Sequence, residues 1–194
     1  MKFNMKRIIL YIIAIVIGTI ISFSLMIVFR NTSLPFNRQI GIALAYTVVA
    51  VSALIFGSIV GGTIGLLSRL LLGIPYRIGL FGIMEIILIL IFGLFGFLIG
   101  KIYEINYKRY NDKSFIQNFV KIFCIIFIMY IILGIISSIV IQISWTNFSI
   151  TSLFWNDFLY IIKYGLIISI IGIVLMCIYQ KIFKKNVPFS VINK

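Results

Sequence analysis

Three ionisable residues stand inside runs that are otherwise apolar: Arg69, Glu85 and Lys163. A charged side chain in hydrocarbon costs at least about 2.5–3.5 kcal/mol on insertion scales, so such a residue faces a cavity or a partner. Arg69 lies just before the end of one apolar run, Glu85 about seven residues into the next, and Lys163 about five into the last. With those ends on one side of a membrane, all three fall within about two helical turns of that surface. The chemistry of such a set is recognition by charge-assisted hydrogen bonds. Gln142, Tyr160 and Tyr164 fall near the same level, and Trp145, Asn147, Trp155, Asn156 and Asp157 supply a lid. Aromatic walls with a few placed polar groups suit a small, flat, polar ligand. Two bases against one acid hint at some anionic character in that ligand. The competing arrangement pairs Glu85 with Lys163, lets the basic residues snorkel to headgroups and uses the tryptophans as interface anchors.

Bond-making chemistry finds little support. The chain has no histidine, and Glu85 is the one carboxylate inside the expected spans, so paired carboxylates and a serine–histidine arrangement are both missing. Cys124 and Cys177 sit in apolar runs without a CxxC partner, which argues against zinc or redox work. No metal or cofactor is expected, and the chain is not read as an enzyme. A GxxxxGK[ST] loop is absent too, so the chain has no nucleotide site of that kind to power transport.

The elements that position these residues follow from composition. Of 194 residues, 62% are hydrophobic and 11% charged, and the mean hydropathy is +1.21. A soluble domain needs more polar surface than this. The net charge of +13 would suggest nucleic acid in a soluble protein. Here the basic residues cluster between apolar runs, which is a topology signal, and no nucleic-acid partner is expected. The expectation is an all-α polytopic membrane protein, a six-helix transmembrane bundle forming a single domain over 1–194. Its spans cover about 8–29, 39–56, 58–72, 78–100, 118–142 and 158–180.

The first run follows Lys2, Lys6 and Arg7, is too long for a signal-peptide core and lacks a small-residue cleavage site, so it reads as a retained span. As one helix, 39–72 would be about 51 Å long, so Gly57 is read as a break. Lys101, Lys108, Arg109, Lys113, Lys181, Lys184 and Lys185 then share a side with the N-terminus. The positive-inside rule makes that side cytoplasmic, with both termini there and the protein in the cell membrane. A five-span arrangement would put the C-terminus outside.

Small residues recur at helical spacing. Gly57, Gly61, Gly62 and Gly65 form one stripe, Gly93, Gly96 and Gly100 a second, and Ala14, Gly18 and Ser22 a third. Such stripes let helix backbones approach closely, inside the bundle or against a partner.

The stretch LIFGSIVGGTIGLLSRLLLG (54–73), followed by IFGLFGFLIG (91–100), resembles segments of the substrate-binding S components of energy-coupling factor transporters. The resemblance implies a non-catalytic subunit that binds a vitamin or related micronutrient under its outer loops. It implies docking through Ala14, Gly18 and Ser22 on a separate transmembrane subunit, with two ATPase subunits supplying energy. Ser58 stands where many members have proline, Arg69 near a position that is often acidic, and Gly18 where alanine is usual. The same stretch, with its SRLLLG ending, also resembles the five-span sensor domain of some bacterial histidine kinases, which implies sensing without transport.

Overall fold

Gly57 sets the shape of the first half of the chain. Its φ of 102° lies in the left-handed region, which glycine enters without the Cβ clash that penalises other residues. The Gly57 N–H donates to the Ala53 carbonyl at 2.9 Å, and the Gly57 carbonyl accepts from the Gly61 N–H at 3.1 Å. The backbone therefore turns sharply with its hydrogen bonds still made, as a membrane segment requires. The returning helix lies so close that a Cβ on Gly61 would come within 2.7 Å of the Ala53 Cα. The expected break of 39–72 is found at the expected residue.

The computed structural model describes residues 5–30, 35–73, 83–107, 115–144 and 158–183. They form α1 (Met5–Arg30), α2 (Pro35–Phe56), α3 (Ser58–Gly73), α4 (Ile83–Tyr107), α5 (Phe115–Ser144) and α6 (Leu159–Phe183). Five of these helices are long and apolar enough to cross a membrane. The 16-residue α3 rises only about 24 Å, short of a full hydrocarbon core. The protein is an all-α polytopic membrane bundle. Several helices outrun their expected limits, because hydropathy marks the hydrocarbon and not the end of the helix. The largest difference is α4, which continues to Tyr107 instead of stopping at 100. Residues 78–82 of the expected fourth span lie outside the described residues.

Helix α2 is central, packing on α1, α3, α4 and α6, while α5 closes the circuit between α4 and α6. The seam between α3 and α4 is built from glycine. A Cβ on Gly62 would meet Phe97, one on Gly65 would meet the Phe92 backbone, one on Gly96 the Gly61 backbone, and one on Gly100 would lie 2.5 Å from the Ser58 Cα. Lipid tails are as apolar as leucine, so helices associate in a bilayer through close packing instead of expulsion of water. Two glycine stripes facing each other give the closest packing available. In the outer helices α1 and α5 only 22% of the apolar window is buried, against 56% for α2. Rows such as Ile9, Ile13, Val16 and Ile20 on α1 therefore form the surface that meets lipid. Three buried hydroxyls return to their own helix: Thr47 donates to the Ala43 carbonyl, Ser68 to Ile64 and Ser169 to Gly165.

Candidate functional site

Glu85 opens α4, in the first turn, where the helix dipole favours a carboxylate. Phe92 and Ile99 follow at intervals of seven and share its face; both are buried, so that face points inward. Arg69 stands one turn before the end of α3. Because α3 and α4 run antiparallel, the two side chains converge at the end of the bundle away from Gly57. The Arg69 Nη2 donates to the Glu85 Oε2 at 3.3 Å. This is one contact, longer than the usual 2.7–2.9 Å of a charge-assisted bond. The side chains remain 17% and 28% exposed. A sealed ion pair in hydrocarbon loses more in desolvation than it gains unless many hydrogen bonds hold it. This pair is open on one side.

Below it lies an aromatic cluster. The Tyr46 ring of α2 is 4.1 Å from Phe92, 4.7 Å from Phe95 and 5.2 Å from Tyr130 of α5, the last two edge-on. Tyr46 also lies within Coulombic reach of the Arg69 charge. Tyr130 in turn packs on α6, its ring 3.1 Å from where a Cβ on Gly165 would be. Next to Gly165, Tyr164 is buried and stacks on Tyr160 at 6.3 Å and 14°. Tyr46 and Tyr130 were not singled out in the sequence. Each counts among the hydrophobic residues of the composition, although its phenol is the polar handle that should have marked it.

Lys163 does not join the pair, which corrects the expectation of three charges in one cavity. It is exposed, and shares its face of α6 with the exposed Leu166 and Ile170. That row meets lipid. The height differs too. Lys163 is two residues from Gly165, which lies level with Tyr130 and Phe95. Glu85 is ten residues from Phe95, about 15 Å further along the axis. Tyr160 is likewise on the exposed side, while its neighbour Tyr164 is buried. Gln142 belongs to α5, but its side chain lies outside the described residues, as do Trp145, Asn147, Trp155, Asn156 and Asp157.

The opposite end of the α3–α4 seam holds a carboxylate the sequence reading passed over. Glu104 accepts from the Ser58 backbone N–H at 3.0 Å and from the Ser58 Oγ at 3.2 Å. It thereby caps α3 from a neighbouring helix, satisfying an N–H that has no intrahelical partner. Glu104 is therefore a second carboxylate on α4, beyond the expected limit of the fourth span. Glu104 was missed because α4 was expected to stop at 100. Proline at position 58 would have no N–H to donate, so this cap belongs to the serine.

The stripe Ala14, Gly18 and Ser22 needs a second correction. A Cβ on Gly18 would press on Ile64, Ser22 is fully buried and Ala14 packs against the core. Helix α3 already occupies the seam, so the stripe is internal and is not available for docking. No group of three metal-ligating side chains occurs among the described residues. No family model, curated protein or solved structure matches the chain.

Proposed function

We propose that this protein is a membrane-embedded binding subunit that captures a small molecule beside the Arg69–Glu85 pair. The observation that carries this reading is the half-open ion pair at the end of a glycine-packed seam, next to the Tyr46–Phe92 contact. A bundle that only needed to join α3 to α4 has the glycine seam and the Glu104 cap for that purpose. A guanidinium and a carboxylate kept partly exposed among apolar helices are more expensive than leucine and serve recognition better.

Following the resemblance to S components, the captured molecule is a vitamin or related micronutrient. A transmembrane subunit with two ATPases delivers it across the cell membrane. Arg7, Lys101 and Lys121 lie at the Gly57 end of the bundle, which supports a cytoplasmic placement of that end and of both termini. The capture site then opens outward. Docking falls to a surface other than the Ala14–Gly18–Ser22 stripe.

The test is retention. Protein purified in mild detergent from cells grown on rich medium is denatured, and the released small molecules are identified by mass spectrometry. The proposal expects a molecule in stoichiometric amount that is lost from Arg69→Gln. Equal recovery from Arg69→Gln, or an empty wild-type protein that no vitamin stabilises, contradicts it.

A further inference from the structure

We infer that the Gly57 end of the bundle is a binding surface for anionic phospholipid headgroups, centred on the lysines of the α4–α5 pair. The inference does not depend on the capture reading above. On α4 the exposed side chains Leu90, Leu94, Phe97 and Lys101 recur at intervals of three or four, so they line one face of the helix. The first three meet acyl chains, and the row ends on an ammonium. Lys101 follows Gly100, where a Cβ would lie 2.5 Å from the Ser58 Cα, so it stands at the level of the corner where the chain reverses. On α5 the half-buried Lys121 heads a second row, followed by the exposed Cys124, Ile128 and Ile132. Phe95 of α4 and Tyr130 of α5 meet with ring centroids 6.3 Å apart. Lys101 lies six residues beyond Phe95 and Lys121 nine before Tyr130, both toward the Gly57 end. The two lysines therefore stand within about one helical turn of each other in depth.

The charge excess decides the partner. Segments 1–7, 101–121 and 181–185 contain or adjoin that end, and they hold eleven basic residues against two acidic ones, Glu104 and Asp112. Glu104 already accepts from Ser58. Whatever pairs form, two carboxylates cannot neutralise eleven cations. Lysine stems lie along apolar surface and carry their ammonium groups to headgroup level, where an anionic leaflet attracts them. A headgroup with a net negative charge meets that need at the height where the acyl-facing rows end, whereas a zwitterionic one brings its own cation. An acidic polypeptide would approach from water and make no use of the apolar rows beneath the lysines.

The test is lipid selection. Full-length protein is equilibrated in mixed micelles holding equal phosphatidylglycerol and phosphatidylcholine of the same acyl chains, isolated by gel filtration, and its retained lipids are quantified by mass spectrometry. Wild type should retain phosphatidylglycerol in at least about threefold excess. Replacing both lysines, Lys101→Gln with Lys121→Gln, should at least halve that excess, and Lys163→Gln should leave it unchanged. Equal retention of the two lipids by wild type overturns the inference, and binding of soluble polyglutamate in that case would assign the surface to an acidic polypeptide. An excess undiminished in the double variant, or lowered as much by Lys163→Gln, overturns it too, since overall net charge and not this end would then select the lipid. Gel-filtration elution checks that the double variant folds; if it does not, Lys101→Gln alone against Lys163→Gln decides by the same criterion.

Discussion

The two ends of the α3–α4 seam each hold a carboxylate, and they hold it differently. Glu104 accepts two hydrogen bonds from Ser58, one of them from the backbone. Glu85 meets only the tip of the Arg69 side chain, in one long contact that stays partly exposed. A carboxylate bonded to backbone cannot let go without uncapping a helix. One bonded to the end of a flexible guanidinium can exchange partners while both helices stay in place. The first arrangement is structural and the second suits reversible binding.

The perturbation expected to act most strongly breaks the seam that joins the two ends. A Cβ on Gly96 would lie 2.5 Å from the Gly61 carbonyl carbon, where no flexible side chain can yield. Gly96→Val should cost about 3 kcal/mol or more in an SDS-titration unfolding assay, with both ends lost together. Glu104→Ala should come next, at about 2 kcal/mol, because it strips the cap and leaves a buried N–H unsatisfied. Glu104→Gln keeps an acceptor and should lose less than half of that in the same assay. If alanine and glutamine behave alike, charge and not the cap is what Ser58 needs.

Glu85→Gln should change unfolding by about 1 kcal/mol or less, since partly exposed pairs contribute little. It should nevertheless abolish retention of the molecule that wild type carries through purification. A large loss of stability here would erase the contrast between the ends. Lys163→Gln should be the mildest, within about 0.5 kcal/mol and with retention unchanged, because the residue lies outside the seam. Loss of retention in Lys163→Gln would restore it to the site.

Hydropathy made most of the fold legible. Apolar runs of adequate length marked the spans, and a glycine in the middle of a run too long for one helix marked the corner. The stripes 57–65 and 93–100 predicted close backbone contact, and the two stripes meet each other. Depth along the membrane normal brought Arg69 and Glu85 to one end correctly and misplaced Lys163. Azimuth was not readable. One residue along a helix is a rotation of about 100°, so Lys163 faces out while Tyr164 faces in. A helix as apolar all round as α6 gives no periodic signal to separate them. The same limit let the α1 stripe pass as a docking face when α3 covers it. Glu104 escaped for a different reason: a helix can outrun the hydrocarbon, and hydropathy does not register the excess.

Water access at Glu85 tests the account most directly. In a Cys124→Ala, Cys177→Ala background, Glu85→Cys and Leu90→Cys are compared in intact membranes with a membrane-impermeant methanethiosulfonate reagent. Leu90 is 52% exposed on the bundle surface, more than Glu85. Fast labelling is expected at 85 and none at 90, which faces lipid where a thiolate does not form. Labelling at 90 with none at 85 would mean that the Arg69–Glu85 pair is sealed from water and that no capture site exists there.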